Sequence, residues 1–272
     1  MEINRDNILE VCRKSNIHPT KDYGQNFLIT PDTSKRIVDS LDINDEDVIL
    51  EVGPGIGSLT HFLSMHQNNI DVVDIDYKMT SFLNVVYQDN KNINIIKNDI
   101  RKHDASKYTK IVANLPYNIT TEVIVYLLMN AKKAKKMVLM CQNETFLHFF
   151  NISGSEYGPT SILIHLLGSI NRLLVVGKGC FYPVPKVDST VFEINIEKEI
   201  NEDIIKAYKV SKSLFLNRRK TIFNNLSNFI KDKELARSIL KDASIMENLR
   251  PEQIPPEKFL EISLLISKIK EG

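Results

Sequence analysis

The sequence predicts an α/β fold, a Rossmann-like open sheet with helices on both faces, followed by a small C-terminal all-helical domain. Three observations carry this. From Asp47 to about Cys141, apolar runs of strand length alternate with helix-patterned stretches, the pattern of parallel strands joined by crossover helices. Two runs, VILEV and MVLMC, are nearly continuous in apolar residues, as expected of strands covered on both faces. Beyond about Glu197 the strand pattern stops and the chain reads as helical to Gly272.

Taken in order, MEINRDNILEVCRK is a short amphipathic segment and KDYGQNFLIT a loop without a clear period. Thr30, Pro31 and Asp32 open a helix, with Thr30 as N-cap and Pro31 at the first helical position. Strands are expected over VILEV, IDVVDI, INIIK, KIVAN and MVLMC, and helices over SLTHFLSM, YKMTSFLNVVYQ and TEVIVYLLMN. STVFEINI, with its period-two polarity, suggests a more exposed strand. The domain boundary is expected in the charged run IEKEINED, giving a first domain over 1–199 and a helical one over 200–272.

Composition excludes several classes. With 272 residues, 43% hydrophobic and 25% charged, the chain is neither disordered nor of low complexity. Asp and Glu interrupt the N-terminal segment where a secretory leader would need an apolar core. The most apolar stretch, Ser161 to Val176, is broken by His165, Asn171 and Arg172, so no membrane contact is expected. Cys12, Cys141 and Cys180 lack any C-x-x-C spacing and read as reduced thiols, which together predicts a cytoplasmic protein. The six histidines offer no ligand spacing, so no metal is predicted. A net charge of +1, from 35 basic and 34 acidic residues, argues at first against a polyanion binder. By position, however, Ile205 to Ile230 contains Lys206, Lys209, Lys212, Arg218, Arg219 and Lys220 and no acid, an electrostatic footprint for a phosphate backbone or else a solvated helix face. Lys132, Lys133, Lys135 and Lys136 form a second cluster open to the same two readings.

The segment ILEVGPGIGSLT runs from strand into helix and places Gly53, Gly55 and Gly57 two residues apart. A dinucleotide fingerprint would need glycine at position 58, which is Ser58, and no G-K-[ST] follows to make a P-loop. The loop suits a nucleoside ligand without phosphates, such as S-adenosylmethionine; the alternative is a tight strand-to-helix turn. Asp74 ends the second strand, where a carboxylate can accept both ribose hydroxyls, and Asp99 follows the third, placed for the adenine amino group. Glu51 and Asp76 have helix capping or loop hydrogen bonding as their default roles.

At the end of the fourth strand stand Asn114, Leu115, Pro116 and Tyr117, the form of an amino-methyltransferase motif. An exocyclic amine on adenine is a poor nucleophile because its lone pair is delocalised into the ring. The Asn114 side-chain oxygen and the Leu115 carbonyl can accept its two N–H bonds, favouring a tetrahedral nitrogen, while Tyr117 stacks on the base. No strong general base is needed, because the methylated ammonium loses its proton readily to water. An ordinary Pro turn with a buried Tyr is the alternative.

GQNFL, EVGPGIGSLT, NLPYNIT, YPVPKVDSTV and NRRKTIFNNL together resemble the ribosomal RNA adenine N6,N6-dimethyltransferases, in particular the bacterial small-subunit branch. The resemblance implies a class I methyltransferase sheet, S-adenosylmethionine as cofactor, and two adjacent adenosines near the 3′ end of 16S rRNA in a pre-30S particle as target of a monomeric enzyme. It also implies that Asn26 and the backbone of Leu28 join Gly53, Asp74, Asp99 and Asn114 around the cofactor, that Phe181 stacks on the target base, and that Arg218, Arg219 and Lys220 meet RNA. Phe181 has a second reading, a core residue ahead of a Pro turn. The chain departs from the family in carrying Asp74 where Glu is usual, and Asn143 and His148 at two usually basic positions. Two other functions remain open on sequence: a 23S rRNA dimethyltransferase giving macrolide resistance, and a non-catalytic assembly or transcription factor on the same fold.

Overall fold

The computed structural model describes residues 2–19, 24–116 and 118–271. After α1 (Ile8–Lys14) comes a two-residue strand, β1 (Phe27–Leu28), then α2 (Pro31–Asp39). Thr30 holds the N-cap position of α2 and Pro31 its first turn, but the Thr30 hydroxyl makes no capping bond. The alternating region follows as β2 (Val48–Val52), α3 (Thr60–Leu63), β3 (Asn69–Asp74), α4 (Tyr77–Val86), β4 (Ile93–Lys97), β5 (Lys110–Asn114), α5 (Thr120–Asn130) and β6 (Lys136–Gln142). The rest comprises α6 (Asn143–Phe150), α7 (Pro159–Leu167), β7 (Gly168–Val176), β8 (Phe181–Tyr182), β9 (Ser189–Ile196), α8 (Glu202–Leu214), α9 (Ile222–Ile230), α10 (Lys233–Asp242) and α11 (Pro256–Glu271).

Seven strands form one sheet in the order β4-β3-β2-β5-β6-β9-β7. The first five are mutually parallel, and β9 runs antiparallel to β6. Strand order reverses between β2 and β5, so the loops leaving their C-terminal ends diverge and open a crevice there. Ile49, Leu50, Ile70, Val72, Val112, Val138 and Met140 are buried in the sheet, and Val123, Ile124, Leu127 and Leu128 bury the inner face of α5. Full burial of each such side chain contributes about 1.5–3 kcal/mol.

The strand STVFEINI departs from expectation: Val191, Phe192 and Ile194 are buried. Its alternation reads as half-exposed, but Val191 and Phe192 are successive and so point to opposite faces, and both are buried, which means that the strand is packed on both faces.

The chain divides into two compact units, Met1–Asn143 with Asn171–Asn195, and Glu144–Ile170 with Ile196–Gly272. The second thus draws on residues 144–170 as well as the C-terminal segment, where the sequence suggests one segment from 200. In this unit α8, α9 and α10 start on side-chain caps, from Asn201 to the Ile204 amide, Thr221 to the Asn224 amide and Asp232 to the Leu235 amide. Its core includes Tyr157, whose ring meets Phe215 edge-on at 5.6 Å, and Phe259, 5.6 Å from Phe215.

Candidate active site

The site is built on the C-terminal ends of β2, β3 and β5, all within the first unit. After β2 the chain must turn sharply into α3. Gly53, Gly55 and Gly57 have φ of +65°, +55° and +89°, a region that L residues with a Cβ avoid. A Cβ on Gly53 would stand 3.9 Å from the Asn114 carbonyl oxygen and 4.0 Å from Pro116 Cδ, projecting between the glycine loop and the Asn-Leu-Pro segment. One on Gly55 would stand 3.0 Å from the Phe27 ring, so bare backbone also lets the N-terminal segment lie against the loop.

That segment is tied down at several points. β1 pairs with β8, Leu28 opposite Phe181. The Ser58 hydroxyl donates to the Leu28 carbonyl at 2.6 Å, and Gln25 Nε2 donates to Asp76 at 2.9 Å. The Asn114 amide nitrogen donates to the Asn26 carbonyl at 3.2 Å. A carbonyl can only accept, so this bond orients the Asn114 amide and places its oxygen on the other branch.

A cleft results, lined by Gln25, Asn26, Leu28, Gly53, Asp74 and Asn114 and floored by Glu51, Leu115 and Pro116. Asn26, Leu28, Gly53, Asp74, Asn114, Leu115 and Pro116 therefore come together as the sequence suggests. Tyr117 lies outside the described residues.

Electrostatics within the cleft are uneven. Burial pushes the Asp74 carboxyl up to about 6; the amides of Asp76, Gly55 and Ile75 lower it, while the nearby Asp76 carboxylate raises it. Glu51 is 1% exposed, and burial pushes it up to about 8 although Thr60 donates to its Oε2 at 2.7 Å. Its Oε1 has no hydrogen-bond partner among the described residues. A buried polar oxygen left in this state is costly unless a donor reaches it, so a ligand with a cationic or N–H group fits the floor of the cleft. Glu51 is assigned no part in the cleft on sequence, although its place ahead of the glycines is a signal. Asp76 caps α4 through the Lys78 amide, its default reading, and additionally receives Gln25.

Asp99 sits otherwise. Its carboxylate receives Nε and Nη2 of Arg101 at 3.0 and 2.9 Å, which together with the Arg101 amide holds it below the usual carboxylate range. Arg101, not Asp99, reaches the cleft wall, and its Nη1 also donates to Glu122 of α5 at 2.7 Å. The i,i+2 acid–arginine pair at the head of a short turn was the available signal. Ile75, 47% exposed, adds an apolar surface beside Asp74.

Phe181 corrects an expectation. It is 1% exposed, packed with the core of the sheet, and does not line the cleft. Pairing of β8 with β1 turns its ring inward, so the core reading holds in this structure.

The basic clusters resolve differently. In the second unit Arg218 donates Nη2 to the carbonyls of Tyr157 and Gly154 at 2.6 and 3.2 Å and pairs with Glu252 at 3.4 Å, so it is an internal brace rather than a free cation. Arg219 and Lys220 are exposed. In the first unit Lys132, Lys133 and Lys135 are exposed at the entry to β6, the sheet edge opposite the cleft, while Lys136 pairs with Glu193 at 3.0 Å. Among the described residues there is no group of three or more His, Cys, Asp or Glu able to hold a metal, and no helix long and apolar enough to cross a membrane.

The family described as Ribosomal RNA adenine dimethylase matches residues 16–268. Relatives named Ribosomal RNA small subunit methyltransferase A include one from Malacoplasma penetrans, 34% identical over 93% of this chain and 94% of its own length. Another, from Mycoplasma capricolum, is 36% identical over 90% of this chain and 97% of its own. Among solved structures, a dimethyladenosine transferase from Plasmodium falciparum superposes with a TM-score of 0.75 at 24% identity, covering 89% of this chain and 98% of its own, a likeness of fold.

Proposed function

Because this chain belongs to the ribosomal RNA adenine dimethylase family, we propose that it dimethylates the N6 amines of two adjacent adenosines near the 3′ end of small-subunit ribosomal RNA. In this reading a monomer acts in the cytoplasm on a pre-30S particle and uses no metal. The observation that carries it is the Asn114 amide, held by the Asn26 carbonyl beside the glycine loop at the strand-order reversal.

S-adenosylmethionine, the cofactor, supplies a methyl group made electrophilic by a sulfonium sulfur. Asp74 would accept the ribose hydroxyls, Gly53 would let that ligand pass close to the backbone, and Asn26 and Leu28 would cover it from the N-terminal segment. Ile75 would offer an apolar surface to its base, and Arg101, held by Asp99, rather than Asp99 itself, stands at that end of the cleft. Glu51 Oε1 supplies a carboxylate at the floor, where a cationic group would favour its ionised form.

Toward the substrate, the Asn114 oxygen and the Leu115 carbonyl accept the two N–H bonds of the target amine. This localises the nitrogen lone pair and aims it, an orienting contribution rather than acid–base catalysis. Tyr117 stacks on the base. A base inside structured RNA must leave its stack to reach such a cleft, so the exposed cations of the second unit, Arg219 and Lys220 among them, hold the surrounding RNA.

Incubating the protein with labelled cofactor and pre-30S particles, then mapping the modified nucleotides, tests the assignment. N6,N6-dimethyladenosine is expected in the small-subunit RNA, with Asn114→Ala slower by about 100-fold or more, the scale of losing a well-placed polar contact to the reacting group. Modification of large-subunit RNA instead, or full activity of the Asn114 variant, would overturn it.

A further inference from the structure

Among the described residues, Leu216 is the most exposed large apolar side chain, at 79%. It lies in the turn between α8 and α9 of the second unit. Its surroundings are cationic: Lys206, Lys209 and Lys212 recur every three residues on the exposed side of α8, and Arg219 and Lys220 follow within the same turn. None of these five forms an ion pair with a described residue, although Glu202 and Asp203 lie one turn before Lys206. Lys212 rests over the Tyr208 ring, 5.8 Å from its centroid. Arg218, by contrast, is half-buried and bonds to the Tyr157 and Gly154 carbonyls and to Glu252 of the same unit.

An isolated exposed leucine needs no explanation; one followed in its own turn by the exposed Arg219 and Lys220, and preceded by three exposed lysines on the helix leading into it, does. Phosphates match the cations, but an apolar side chain gains nothing from phosphate. A-form RNA offers both surfaces at once, with phosphates flanking a wide, shallow minor groove lined by ribose and base edges. We propose that Leu216 packs against the ribose edges of an RNA helix in the ribosomal substrate while Lys206, Lys209, Lys212, Arg219 and Lys220 engage the adjoining phosphates. This rests on the reading of the second unit as an RNA-contacting surface. It divides the labour: the cations supply salt-dependent attraction to any polyanion, and Leu216 distinguishes an RNA groove from charge alone.

The test compares binding of the full-length protein to deproteinised 16S ribosomal RNA and to heparin, a polyanion without bases, across a salt series. For the Lys206→Ala, Lys209→Ala double variant, the slope of log affinity against log salt is expected to fall by roughly 0.7–0.9 per lysine, for RNA and heparin alike. Leu216→Ala and Leu216→Gln are expected to leave the slope and heparin binding unchanged and to weaken RNA binding by about 5- to 10-fold, the loss of one apolar contact. If both Leu216 variants bind RNA within twofold of the parent while the lysine variant weakens, the Leu216 proposal falls and the RNA-contacting reading stands. If the lysine variant leaves RNA binding and its slope unchanged, that reading falls and the proposal with it.

Discussion

Glu51 and Asp74 are two carboxyls of one cleft whose ionisation opposes their burial. For Glu51 the folded value of about 8 exceeds the ordinary 4.5. Between these values the folded chain keeps a proton that the unfolded chain has released. The associated stability is therefore complete below the lower value and is lost as pH rises through about 8, at roughly 1.4 kcal/mol per pH unit. Glu51→Gln, which cannot ionise, should accordingly melt at a temperature that changes less between pH 5 and 8 than the parent's; parallel curves would show that Glu51 does not titrate in this window. Asp74 acts on the ligand side. Its value of about 6 means that the ionised acceptor fills as pH rises through that point. Cofactor affinity measured calorimetrically should increase from pH 5 to 7, and Asp74→Asn should bind about tenfold more weakly or worse without that rise.

At the scale of elements, the glycine loop joins β2 to α3 and contacts both the N-terminal segment and α4. A Cβ on Gly57 would fall 2.8 Å from Leu83 Cδ2, in addition to its φ of +89°. The leucine end can move, so the left-handed backbone supplies most of the penalty. Gly57→Ala should lower stability by about 1–2 kcal/mol, read as a fall in the melting midpoint; an unchanged midpoint would mean that the loop readily changes conformation. The strand series and the loop were legible in the sequence because each rests on local pattern: apolar runs, period and glycine placement. β1 and β8, of two residues each, were not legible, since neither has a period of its own and each exists only through the other.

At the scale of the whole molecule, each unit separates bracing residues from available ones. Arg218, Arg219 and Lys220 are consecutive and chemically alike, yet only Arg218 bonds inward, to the Tyr157 and Gly154 carbonyls. Arg218→Ala leaves those carbonyls without their charged donor and should destabilise the protein by about 1.5–3 kcal/mol. Arg219→Ala with Lys220→Ala should leave the melting midpoint unchanged and reduce RNA affinity and its salt slope. The reverse pattern would make Arg218 the RNA-facing residue. The second unit likewise recruits residues 144–170 from the middle of the chain, a partition that depends on which buried faces meet rather than on any boundary composition.

By itself the sequence determined the parallel α/β series, the turn that admits a ligand, the acids at successive strand ends and the Asn-Leu-Pro-Tyr motif. All of these depend on residues close together in the chain. Only the tertiary structure decided that Phe181 is core, that Asp99 is engaged by Arg101, that Glu51 is a buried carboxyl under the cleft, and that β9 is packed on both faces. Burial, ion pairing and desolvation depend on neighbours brought from distant parts of the chain, and local spacing carries no record of them.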